Sequence, residues 1–162
     1  MLLDKVPTYR TYNPELISTT PSITLFTVTK NNVKNIEDCI ESVLSQTFRD
    51  FKLIICDLNS TDGTCDLLQE KYQDNPQIKI YQEDFSSHSD SYNFCARNAT
   101  GMYLMQIDPS ETISQNCLEI MFNELEHDPN FSLVCGGTSH HKPKEASAES
   151  GSLSLELSRN DS

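Results

Sequence analysis

The chain has 162 residues, 36% of them apolar, which is enough for one domain with a modest core and too few for two of ordinary size. Its formal net charge of −12 has no basic cluster to offset it, which argues against nucleic acid or an anionic membrane surface as partner. No apolar run approaches the roughly 20 residues of a membrane span, and the start of the chain, with Asp4, does not read as a secretory leader.

Residues 1–21 carry Pro7, Pro14 and Pro21 without a clear period and read as an extended lead-in. Ser22–Thr29 (SITLFTVT) is rich in β-branched and aromatic residues and predicts a buried strand. Val33–Thr47 switches to a helical period, with Ile36, Cys39, Ile40, Val43 and Leu44 on one face. Phe51–Cys56 predicts a second strand. Asn59–Thr64 is a polar turn in which Ser60 or Thr61 is expected to cap the short helix Thr64–Tyr72. Gln77–Tyr81 predicts a strand, Ser89–Ala99 a helix, Met102–Ile107 a strand, Ser114–His127 a helix and Phe131–Cys135 a fifth strand. Residues 138–162 are Ser-rich with charges of both signs and are expected to be a disordered tail, leaving residues 22–137 as the domain.

Regular alternation of strand and helix implies right-handed crossovers. The expected fold is α/β, a mostly parallel, doubly wound, Rossmann-like sheet with helices on both faces. Ligands of such sheets sit beyond the carboxyl ends of the strands. The residues there are Thr29 and Asn31, Asp57, Gln82 to Asp84, Asp108, and Gly136 with Gly137; nearly all are polar or glycine. A Gly-x-Gly-x-x-Gly turn after the first strand is absent, which disfavours a dinucleotide site. The acid cluster of a receiver domain is absent there as well. The six cysteines form no Cys-x-x-Cys pair and mostly fall in apolar patterns, so they read as reduced thiols in a cytoplasmic setting rather than a zinc site.

Three segments, in order, resemble the family 2 glycosyltransferases. Val28-Thr29-Lys30-Asn31, followed by an apolar helical face and Gln46-Thr47-Phe48, looks like that family's first strand, loop and helix. Asp57-Leu58-Asn59-Ser60-Thr61-Asp62-Gly63-Thr64 is similar to its Asp-Asp-Gly-Ser-Thr-Asp-Gly-Thr. The stretch from Ser89 through Asn93, Ala99, Gly101 and Tyr103 to Asp108-Pro109-Ser110-Glu111 looks like the block leading into its Asp-x-Asp motif. The resemblance implies a GT-A type fold. It also implies a nucleotide-diphospho-sugar donor, often UDP-linked, transfer to an acceptor hydroxyl with inversion, and a divalent metal, Mn²⁺ or Mg²⁺.

By that resemblance Asp57 accepts the N3–H of uracil, a charge-assisted bond worth about 1.5–3 kcal/mol; a carboxylate that only caps the following turn is the plainer reading. Thr29 and Asn31 would line the base and ribose pocket, although Asn31 also suits a helix cap. Asp62 is expected to hold backbone N–H groups. Asn93 would lie near the donor. Asp108 would contact ribose or metal, and Glu111 is the candidate second ligand, because Ser110 stands where the family has its second Asp. Tyr92 stands where the family often has Arg, and Arg97 reads as solvent-facing. The family's acceptor site and catalytic base follow the fifth strand, and residues 138–162 do not resemble them, so no catalytic residue is assigned. Poor transfer by this chain alone is expected, unless a partner chain supplies the acceptor site. The alternative is a non-catalytic nucleotide-sugar-binding or regulatory module.

Overall fold

The computed structural model of the chain describes residues 20–85, 87–127, 133–134 and 136. Among the described residues four strands and four helices alternate: β1 Ile23–Thr29, α1 Ile36–Leu44, β2 Phe51–Asp57, α2 Thr64–Tyr72, β3 Ile78–Gln82, α3 His88–Asn98, β4 Tyr103–Gln106 and α4 Cys117–His127. The expected fifth strand falls largely outside the described residues, as do most of the lead-in and the Ser-rich segment.

The strands pair in the order β3-β2-β1-β4, all parallel. The first two crossovers step one way along the sheet, and the third returns past β1 to its far side. Right-handed connections therefore place α1 and α2 on one face and α3 on the other, the doubly wound α/β arrangement expected from the sequence. The switch in direction lies between β1 and β4.

Strand side chains alternate between the two faces. Phe26, Ile54 and Cys56, with Leu58 beyond the strand, form a buried cluster with Cys95 of α3. Tyr92 of α3 stands edge-on to Phe26, with ring centroids 5.7 Å apart. The alternate residues Leu25, Leu53 and Ile55 are fully buried on the opposite face. Buried Ile36, Cys39, Ile40 and Val43 form one stripe of α1, at the spacing that turns a single helical face inward. The neighbouring helices α1 and α2 are joined by Tyr72 Oη donating to Glu41 at 2.7 Å and by an exposed Lys71–Glu37 pair; an exposed pair of this kind contributes little.

Glycine is required where α3 returns to the sheet. A Cβ on Gly101 would lie 2.6 Å from the Thr24 backbone nitrogen, and its N–H donates to Thr24 Oγ1 at 2.9 Å. The chain divides into two compact units at Leu118/Glu119. The first holds the sheet and α1–α3. The described part of the second is the rest of α4, in which Phe122 is buried, together with residues 133, 134 and 136.

Candidate functional site

The carboxyl ends of β1, β2 and β3 stand level, with Thr29 paired to Asp57 and Asp57 to Gln82. Asp57 is fully buried. Its Oδ2 accepts the Ser60 N–H at 3.0 Å and its Oδ1 the Ser60 hydroxyl at 2.5 Å. It therefore caps the turn that follows β2, as the plainer reading of the motif expects. Each carboxylate oxygen has a second lone pair beyond these bonds.

Ser60 has a second partner. Its Oγ accepts the backbone N–H of Asn31 at 2.8 Å, and Asn31 Oδ1 accepts the N–H of Thr61 at 2.8 Å. Asn31 has φ 52° and Asn59 φ 50°, left-handed values that asparagine tolerates better than most residues. Asn31 does not cap α1, whose N-cap position is Asn35. It laces the loop after β1 to the turn after β2. Asp62 adds to the lacing as expected, accepting from the N–H of Val33 at 3.1 Å and from the N–H and hydroxyl of Thr64 at 3.0 and 2.5 Å. These bonds hold its carboxyl below the ordinary range, the Thr64 hydroxyl being the largest cause. Neither Ser60 nor Thr61 caps α2; Gly63, at φ 97°, occupies that position. Ser60 is spent instead on Asp57 and Asn31.

Thr29 is 1% exposed, and its hydroxyl has no hydrogen-bond partner among the described residues; Thr27, two residues earlier on the same face, is alike. Buried hydroxyls normally find partners, so two in succession beneath a strand end are unusual.

Across β1, β4 ends at Gln106 and the chain turns. Glu111 N–H donates to Asp108 C=O at 3.0 Å. This closes a turn with Pro109 in its second position, where its fixed φ fits. The turn brings the backbone of Glu111, the candidate second ligand, back to Asp108. Ser110 donates to Asp108 Oδ1 through its N–H at 2.9 Å and its hydroxyl at 2.5 Å. Those bonds, the hydroxyl first, lower the Asp108 pKa. Asp108 is therefore ionised at neutral pH with Oδ2 outside these bonds. Cys39 of α1 lies beneath, its Sγ 3.5 Å from Asp108 C=O. Its thiol is pushed up to about 12, by burial first and then by the charges of Asp108 and Glu111.

Asn93 is not drawn into either group. It is exposed on α3, and no hydrogen bond joins it to Asp57 or Asp108. Its neighbour Tyr92 packs on Phe26, and its Oη accepts from Gln106 Nε2 at 2.9 Å, tying α3 to β4. Arg97 is exposed in the last turn of α3.

Among the described residues no three His, Cys, Asp or Glu side chains gather as a metal cage. The donor set of the turn nevertheless suits a hard cation shared with a diphosphate. Such ions take one or two carboxylates and complete their shell with phosphate oxygens and water. Asp108 offers an ionised oxygen and Glu111 sits in the same turn. Ser60 is the residue that sequence reasoning missed. Its position inside the Asp57–Thr64 motif was the available signal, but its choice between capping a helix and bridging two loops depends on tertiary contacts.

Comparison with known proteins agrees with this architecture. A chondroitin synthase of Escherichia coli is 30% identical over 83% of this chain and 20% of its own length. A hyaluronan synthase of Pasteurella multocida is 26% identical over 83% of this chain and 14% of its own. The chain thus spans a fifth or less of these relatives. S. aureus TarS residues 1–349, solved with UDP-GlcNAc, superposes with a TM-score of 0.60 at 23% identity, covering 65% of this chain and 31% of that one. The mannosyltransferase PcManGT of Pyrobaculum calidifontis, solved with GDP-Man and Mn²⁺, gives 0.61 at 20% identity over 76% of this chain and 36% of its own. No helix among the described residues is long and apolar enough to cross a membrane. The model of glycosyl transferase family 2 matches residues 24–160, and the chain belongs to that family.

Proposed function

We propose that this chain binds a nucleotide-diphospho-sugar, UDP-linked, in the loops beyond β1, β2 and β4, for transfer of the sugar to an acceptor hydroxyl. One observation carries the reading. The loop after β1 and the turn after β2 are laced together through Ser60 around the buried carboxylate of Asp57, with an ionised Asp108 in the turn beyond the adjacent β4.

In this reading Asp57 accepts uracil N3–H and discriminates against cytosine, whose N3 is itself an acceptor. Thr29 and Asn31 border the base and ribose. Asp108 and Glu111 hold Mn²⁺ or Mg²⁺ against the diphosphate, where the ion would neutralise charge that develops on the leaving group. Asn93 belongs to the site only if donor binding draws α3 inward. The acceptor and its general base are assigned to residues beyond those described, in this chain or in a partner. The free thiols of Cys39, Cys56, Cys65, Cys95 and Cys117 suit a reducing compartment such as the cytoplasm.

Thermal unfolding with UDP, GDP and UDP-sugars, with and without Mn²⁺, tests the proposal. A ligand at a hundred times its Kd adds about 2.7 kcal/mol. A UDP-selective rise that grows with Mn²⁺ is expected. A rise indifferent to metal would confine the site to base recognition, and no rise with any nucleotide would refute donor binding.

A further inference from the structure

The turn that carries Asp108 and Glu111 is exposed and has little core of its own, yet it is held in place from one side. Five hydrogen bonds join α1 and the three residues after it to the segment that runs from the end of β4 into the first turn of α4. Cys39 Sγ meets Asp108 C=O at 3.5 Å. Ser42 Oγ accepts the N–H of Ile113 at 3.1 Å. Gln46 Nε2 donates to Ser114 C=O at 2.7 Å, and Gln46 Oε1 accepts the N–H of Leu118 at 3.0 Å. Thr47 N–H donates to Gln115 C=O at 2.8 Å. Gln46 also donates to Ser42 C=O at 3.0 Å, which ties two rungs together.

The contacts run in step, later positions of α1 meeting later positions of the segment. Cys39, Ser42 and Gln46 are three and four residues apart, the spacing of a single helical stripe. Gln46 has no exposed surface, and the polar atoms of its amide are all engaged by backbone groups. A buried amide satisfied from two elements at once has one geometry in which every bond is made.

We propose that this stripe of α1, continued by Gln46 just beyond the helix, is a latch that positions the Asp108–Glu111 turn, with Ser42 and Gln46 as positioning residues for the diphosphate end of the donor. The inference rests on the donor-site reading above. It assigns the two ends of the donor to different supports: the base end to the Ser60 lacing, the diphosphate end to α1. Damage to the latch therefore moves the diphosphate contacts and leaves base recognition in place, which general loss of folding would not do.

Isothermal titration of UDP with Mn²⁺, and separately of uridine, into the whole chain tests this with Ser42→Ala, Ser42→Thr and Gln46→Ala. Loss of one hydrogen bond of this kind is expected to weaken UDP–Mn²⁺ binding about fivefold in Ser42→Ala, with uridine affinity unchanged. Ser42→Thr, which keeps the hydroxyl, restores UDP binding. Gln46→Ala weakens it further; if that variant does not fold, the serine pair decides alone. The latch is refuted if UDP and uridine weaken together, if neither changes, or if the unmodified chain binds uridine as tightly as UDP with Mn²⁺, a result that leaves base recognition standing. Binding of neither probe by the unmodified chain would overturn the donor site itself, and the latch with it.

Discussion

The hydroxyls of Thr27 and Thr29 share one environment and are expected to part on substitution. Each is buried without a hydrogen-bond partner among the described residues, so a nearly isosteric Val removes a poorly satisfied polar group. Thr27→Val is expected to leave stability unchanged or raise it by about 1 kcal/mol, measured by urea unfolding, with nucleotide affinity intact. Thr29→Val should be equally harmless to the fold but weaken UDP binding, because only Thr29 stands at the strand end beside Asp57. Asp57→Ala strips the acceptor from both Ser60 donors and is expected to cost about 1–3 kcal/mol as well as uridine affinity. Asp62 gives the pH dependence its sign. Its folded pKa is depressed, so its contribution is complete above its unfolded value of about 4. That contribution is lost as pH falls through the lower folded pKa. Acid unfolding of Asp62→Asn should therefore show a shallower decline below pH 4 than the parent. The capping of the turn by Asp57 could be read from the motif because its partner Ser60 lies three residues on; for Asp62 the same holds of Thr64 but not of Val33, 29 residues away. The role of Asn31 could not be read there, since its partners Ser60 and Thr61 are some thirty residues away.

Helix boundaries show the same limit at the next scale. The apolar period extends α1 over Val33–Thr47, whereas the helix runs Ile36–Leu44. Its C-terminal end is set by Gln46 and Thr47, whose groups are spent on residues 114, 115 and 118. The same bonds occupy the carbonyls of Ser114 and Gln115, and α4 begins at Cys117 rather than at Ser114. Hydrophobic period marks which face of a helix turns inward; tertiary hydrogen bonds decide where it stops. The approach of the α3–β4 connection to β1 is a further property of elements in contact. Gly101→Ala would press a methyl group into the Thr24 and Ile23 backbone. It is expected to destabilise by about 1–3 kcal/mol, seen as a lower urea midpoint, while leaving the Asp57 turn intact.

For the molecule as a whole, the alternation of strand and helix periods was enough to read a parallel, doubly wound sheet, because parallel neighbours must be joined by crossovers and crossovers have one hand. The strand order β3-β2-β1-β4 was not readable, since every buried strand presents a similar apolar run whichever neighbour it pairs with. Charge belongs to this scale too. A chain of net charge −12 repels a nucleoside diphosphate at long range, and salt screens that repulsion. The association rate of UDP is therefore expected to rise between low and physiological ionic strength, the opposite of the usual steering effect, and stopped-flow measurement across that range checks it.

The place of β1 between β2 and β4 also sets a timetable for synthesis. Made first among the described strands, Ile23–Thr29 finds its second neighbour only after Tyr103–Gln106 has been made. At about 5–20 residues per second that interval lasts roughly 4–15 s. Throughout it a seven-residue β-prone stretch of β-branched and apolar residues keeps one edge open to other nascent chains. Chaperone demand should therefore peak while the α3 region is being translated and fall once β4 has closed the edge.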